Sequence, residues 1–204
     1  MTNKFLKNES KLVALGFGEK EGEKVINISP KSTTELGRLL SPLTPSFTRL
    51  FCGKVACIKT FMEAIRTPGF PTNFLGKAHL SSEEVLSIPK KKVILPNYWA
   101  LVAYAVVERI RQDKKLMGLL KTNTLTLTSL NKDKVTEFFG KKITCSVVHN
   151  KMAMYVAIVR HIELMIKSDE FMDKAKTDEF ILKCRDDETK DIMEGMCLTV
   201  TESN

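Results

Sequence analysis

Apolar residues at steps of three and four mark the longest elements of the chain. Over 98–112, Leu101, Val102, Ala105, Val106 and Ile110 recur at helical spacing, with Arg109 inside the same stripe. Over 152–167, Tyr155, Val156, Val159, Ile162 and Ile166 do the same. A third stripe, Val55, Ile58, Met62 and Ile65, predicts a helix over 54–66, stopped by Thr67-Pro68-Gly69. Shorter helical patterns fall at 114–120 and 179–184, and a helical turn at 72–78. Ser81-Ser82-Glu83-Glu84 reads as a capped helix start, closed by Ile88-Pro89.

Period-two alternation is sparser. It predicts strands over 25–28, over 122–130 (Leu125 and Leu127 among threonines) and over 143–148. Brief strands fit 12–17, 47–51 and 197–200. Leu36 to Leu40 ends at Ser41-Pro42, and a residue before proline avoids helical geometry. That patch therefore reads as a loop or a single helical turn. The sum is an α+β fold, a mainly helical single domain with a small sheet.

Length and composition set the class. A chain of 204 residues with 43% hydrophobic and 27% charged residues can bury a full core as one domain. The longest uncharged apolar stretch, 93–107, is interrupted by Pro96 and Asn97 and is too short to span a bilayer. Residues 1–11 lack an apolar signal core. Five cysteines without a CxxC, and three scattered histidines, argue against a zinc site and for reduced thiols. A cytoplasmic location and no membrane partner are expected. That means the host cytoplasm if the chain is phage-encoded.

Charge changes the picture further. The formal net charge is +8, while acids gather late, at Asp169, Glu170, Asp173, Asp178, Glu179, Asp186, Asp187, Glu188, Asp191 and Glu194. The body before them is more basic than the total, which suits a polyanionic partner, nucleic acid above all. This divides the chain into an N-terminal extension (1–24), a domain (25–167) and an acidic C-terminal extension (168–204).

No Walker loop, GxGxxG, HExxH or GxSxG occurs. No cofactor and no metal are expected. The candidate chemistry lies in isolated polar residues. Lys59 and Glu63 are one helical turn apart. They are either a solvated pair or a cleft-facing amine beside a carboxylate. Trp99, the only tryptophan, either fills the core or stacks on a base. Lys77 is either an exposed lysine or a phosphate contact, and Ser41 either offers a hydroxyl or turns the chain. Cys57 reads as a small core residue.

The order of several short segments resembles the NADAR (YbiA-like) domain family, most closely the versions carried by large tailed phages. The segments are Ile26-Asn27-Ile28, then Glu35-Leu36-Gly37-Arg38-Leu39-Leu40-Ser41-Pro42, then Gly53-Lys54-Val55-Ala56-Cys57-Ile58 leading into 59–67. Phe74-Leu75-Gly76-Lys77, Asn97-Tyr98-Trp99, the run 105–120 and the helix 152–166 complete the match, over about 25–167. The resemblance implies a compact helical α+β fold acting on N-glycosidic bonds of ribosides. Family members cleave riboflavin-pathway intermediates or remove ADP-ribose from guanine in nucleic acid. The family places a carboxylate near the anomeric carbon, where it stabilises an oxocarbenium-like sugar. Here Lys59 stands at that point, and 131–140, with Asp133 and Glu137, replaces the family's later acidic, tryptophan-rich element.

The sequence therefore leads to an N-glycosidic bond-cleaving enzyme on modified nucleic acid, DNA more than RNA, resembling a DNA glycosylase. Lys59 attacks, and Glu63 or Asp133 moves protons. Asn27, Ser41, Arg66, Lys77, Asn97 and Trp99 bind substrate. Two alternatives stay open: an ADP-ribosyl-guanine hydrolase, and a catalytically inactive nucleotide- or nucleic-acid-binding phage protein.

Overall fold

The computed structural model describes residues 21–66, 97–138, 141–148 and 150–184. The expected elements at 12–17, 72–78, 81–88 and 197–200, together with Lys77, lie outside them. The fold is α+β and mostly helical, with small two-stranded sheets. Among the described residues, no helix is long and apolar enough to cross a membrane.

In chain order the elements are β1 (Val25–Asn27), α1 (Glu35–Leu40), β2 (Thr48–Leu50), β3 (Gly53–Val55) and α2 (Ile58–Ala64). Then come α3 (Tyr98–Gln112), α4 (Lys114–Thr122), β4 (Thr126–Thr128), β5 (Leu130–Phe138) and β6 (Lys141–Val148). The helices α5 (Asn150–Lys167) and α6 (Lys174–Lys183) follow. β1 and β4 pair in parallel, with Ile26 opposite Leu127. A parallel pair needs a crossover, and everything from α1 to α4 lies between the two strands. β2 and β3 form a hairpin, as do β5 and β6, whose register shifts between Asn131 and Lys134.

The helix α3 is the core of the molecule. Its residues Tyr98, Ala100, Val102, Ala103, Ala105, Val106, Val107, Arg109 and Ile110 are all buried. A helix buried on nearly every side must be covered by other elements. The cover comes from α2, α4, α5, α6 and the β2 strand. Phe171, Phe180 and Cys184 belong to the same buried cluster, so 171–184 packs with the domain body. Asp173 caps α6 by accepting from the Ala175 amide at 2.9 Å. His161 stacks on Phe180 with ring centroids 4.3 Å apart, and burial lowers the imidazole's pKa.

Several boundaries differ from the sequence reading. The helix expected over 54–66 begins only at Ile58, because Val55 pairs with Thr48 in the β2–β3 hairpin. Val55 is buried, so a core-facing strand residue had extended the helical stripe. The patch 36–40, read as a loop or a single helical turn, lies in a six-residue helix, Glu35–Leu40. Thr34 makes it possible by accepting from the Gly37 amide at 3.1 Å. At its other end, the Leu40 carbonyl accepts from Tyr155 Oη at 2.8 Å and the Ser41 carbonyl from Arg109 Nη1 at 3.0 Å. Arg109 Nη2 reaches the Leu39 carbonyl. Two buried side chains thus satisfy carbonyls that a short helix leaves open. The strand expected over 122–130 shrinks to Thr126–Thr128, since α4 runs on through Thr122 and Asn123 folds back on Leu125. Leu130, the last residue of that expected strand, instead opens β5, whose residues 131–138 were not expected as a strand. The last described helix starts at Lys174, five residues before its expected place.

Candidate functional site

The helix α2 with the residues just after it, and the start of α3, bring five chemistry-bearing side chains together. Lys59 and Glu63 lie one turn apart on α2, and the Lys59 ammonium contacts Glu63 Oε1. Glu63 is buried, with 4% of its side chain exposed, and Lys59 keeps 23%. The carboxylate end of the pair is thus inside the protein, while the ammonium end keeps contact with the surface. Arg66 Nη1 stands 4.0 Å from the other carboxylate oxygen. One buried carboxylate is therefore flanked by two cations, whose charges offset part of its desolvation.

Arg66 also lies over the Tyr98 ring, 4.7 Å from guanidinium carbon to centroid. The Trp99 indole meets that ring edge-on, at 4.9 Å and 80°. Trp99 is half-buried and packs against the core. Burial pushes the Tyr98 hydroxyl up to about 12; the Arg66 charge opposes this and the Glu63 charge adds to it. Among the described residues, Tyr98 Oη and Arg66 Nε are buried without a hydrogen-bond partner. Unsatisfied buried polar atoms are uncommon, and two neighbours in one cluster call for an explanation.

The chain backbone ties the loop after α1 to this cluster. The Lys59 amide donates to the Pro42 carbonyl at 2.8 Å. Ser41 itself is buried, and its hydroxyl accepts from the Leu43 amide at 3.3 Å, so the residue turns the chain here. Asn27 ends β1, buried, and its amide donates to Glu21 Oε1 at 3.1 Å. Asn97 is exposed at the start of α3, and its side chain makes no capping bond. Asp133 lies on β5 within the register shift. Cys57 is buried, its sulfur 3.2 Å from the Thr60 hydroxyl, as a core residue would be.

The structure thus gathers Lys59, Glu63, Arg66 and Trp99, with the Ser41-Pro42 loop behind them. Tyr98 is the member that sequence reasoning passed over. Its signal was adjacency to Trp99 at a helix start, which also describes many core tyrosines. A cleft of about 280 Å³ lies elsewhere, between α4 and the turn from α5 to α6, lined by Met117, Lys121, Ile166, Phe171 and Met172 among others. It holds none of the expected site residues. Among the described residues, no group of three histidine, cysteine or acidic side chains is placed to hold a metal ion.

Compared with known proteins, the chain matches no family, no curated protein and no solved structure. The resemblance to NADAR domains therefore rests on the segments quoted above.

Proposed function

We propose that the chain cleaves an N-glycosidic bond in modified nucleic acid, with Lys59 and Glu63 as a nucleophile and proton-transfer pair. The observation that carries this reading is the direct contact of the Lys59 ammonium with the buried Glu63 carboxylate, beside the Arg66–Tyr98 pair. An ammonium cannot attack, so the pair must first move a proton. Glu63 accepts one proton from Lys59, and the freed amine attacks the anomeric carbon. The carbon–nitrogen bond to the base breaks as Glu63 passes that proton to the departing base. A second ammonium proton goes to the ring oxygen as the sugar opens. The third stays on the resulting iminium nitrogen, and water then releases the open sugar and regenerates Lys59. The half-buried Trp99 supplies a face for the base, which must leave the duplex or come from a single strand. The likeness to NADAR segments supports the same bond type.

A second reading is a binder without turnover. It is favoured by the same ion pair, since Lys59 held as an ammonium is a poor nucleophile until Glu63 takes its proton. The test is incubation with DNA carrying natural phage base modifications, with and without borohydride. The expected result is a trapped protein–DNA adduct at Lys59, absent in Lys59→Arg, which keeps the charge and the Glu63 contact but forms no imine. Base release undiminished in Lys59→Arg would transfer the chemistry to a hydrolytic, lysine-independent route such as removal of ADP-ribose. No release on any such DNA would leave the binder.

A further inference from the structure

The outer face of the β2–β3 hairpin carries an arrangement that the Lys59 cluster does not use. Arg49 and Lys54 are the exposed residues of their strands and sit directly opposite each other in the register. Side chains paired this way are about 5 Å apart at Cβ, and like charges so placed repel. Among the described residues neither has an acidic partner. Exposed aromatics flank the pair: Phe47 is 64% exposed and Phe51 is 60% exposed.

Neither aromatic is placed casually. Phe47 has φ of 42°, in the left-handed region, which a bulky non-glycine residue rarely adopts. The Ser46 and Phe47 amides both donate to the Ala56 carbonyl, at 2.8 and 3.5 Å, just beyond the open end of the hairpin ladder. Phe51 sits at the hairpin tip, its amide accepted by Tyr104 Oη at 3.2 Å and its ring 5.7 Å from the Tyr104 ring. Gln112 grips the Arg49 backbone from both sides, through bonds of 2.9 and 2.8 Å. The core helix α3 thus holds rigid a hairpin that presents two aromatic rings and two unneutralised cations to water.

We infer that this face is a binding surface for single-stranded nucleic acid, in which Phe47 and Phe51 stack on bases and Arg49 and Lys54 contact the phosphates between them. Phe47 and Phe51 bracket the three-residue strand β2, so they stand at most about 13 Å apart along the chain, a reach of up to about four stacked nucleotides at ~3.4 Å each. A phosphate between Arg49 and Lys54 would replace their repulsion with attraction. The surface rests on nucleic acid being the partner, as in the proposed function, but not on cleavage.

Two substitutions separate binding from folding. Phe47→Gly removes the ring and places glycine where the backbone favours it. Lys54→Glu turns a repulsive cross-strand pair into an attractive one. Both are expected to keep or raise Tm. Both are also expected to weaken binding of the full chain to a fluorescent, unmodified oligothymidylate by roughly tenfold or more, read by anisotropy at low salt. Lys54→Glu should also flatten the salt dependence by about one counterion. Both hairpin variants keep Lys59, Glu63 and Trp99, so the borohydride adduct on saturating modified DNA should persist in them, which tells loss of this surface from loss of cleavage. Native affinity in both hairpin variants, absent binding by the native chain, or equal displacement by polyglutamate would overturn the inference.

Discussion

Tyr98, Tyr104 and Tyr155, the three tyrosines of the chain, all have hydroxyls raised by burial, and for Tyr98 and Tyr155 the shift is to about 12. For an acid that is neutral when protonated, a raised folded value means the native state holds its proton longer than the unfolded state. The associated stability is intact below the unfolded value of 10.0 and is lost as pH climbs from there through about 12. The loss is on the order of 2 kcal/mol per deeply buried tyrosine. A titration followed by phenolate absorbance should therefore show Tyr98 and Tyr155 silent in the ordinary tyrosine range until the fold opens. Tyr155→Phe should cost about 1 kcal/mol at neutral pH, because the buried Leu40 carbonyl loses its donor. It should also move the alkaline transition upward, read as urea midpoints across the pH range. Ionisation of more than one tyrosine near pH 10 with the fold intact would contradict the burial argument. At this scale the sequence showed the Lys59–Glu63 pairing, since helical spacing alone makes i and i+4 neighbours. It could not show that Arg66 lies over Tyr98, because 31 residues of chain separate the two.

The contact between α1 and β1 is set by a glycine. A Cβ on Gly37 would collide with Ser32 Oγ and with the Asn27 carbonyl, and would lie 2.8 Å from Ser32 Cβ. Asn27 belongs to β1, whose partner is β4, so the clash cannot be relieved by a single rotamer change. Gly118 on α4 is the opposite case, with nothing within 4 Å of its added Cβ. Gly37→Ala should therefore destabilise by about 2 kcal/mol despite alanine's better helix propensity. Gly118→Ala should stabilise by about 0.5–1 kcal/mol. Urea midpoints of the two variants check the pair, and a shift of the same sign in both would refute the packing account. Element by element, the sequence was most informative where burial was one-sided and long. The boundaries of α3 were readable to the residue because Pro96 and Asp113 bracket its apolar pattern. They were least readable where two periodicities met. Val55 is a strand residue in phase with the α2 stripe, and 130–138 (Leu-Asn-Lys-Asp-Lys-Val-Thr-Glu-Phe) has too little apolar alternation to announce β5.

Over the whole molecule, charge and packing divide the C-terminal part differently. By charge, a boundary falls near Ser168, where acids begin to dominate. By packing, the chain crosses that point without leaving the core: Phe171, Phe180 and Cys184 are buried in the same cluster as α3. Arg111, on α3, lies 5.6 Å from the Phe171 ring and hydrogen-bonds the buried Thr177 hydroxyl. Ending the chain after Ser168 would remove two buried phenylalanines, each worth about 2–3 kcal/mol of burial, and would leave Arg111 and His161 without their ring contacts. A loss near 5 kcal/mol is comparable to the whole stability of a marginal domain. The shortened chain is therefore expected to melt broadly or not fold at all, by circular dichroism and amide spectra. Its net charge would meanwhile become more positive, so non-specific attraction to polyanions should rise even as the ordered hairpin face is lost. That combination separates the two contributions. If the shortened chain bound single-stranded DNA with the native preference over duplex, neither the core continuity argued for 171–184 nor the need for a rigid hairpin could stand.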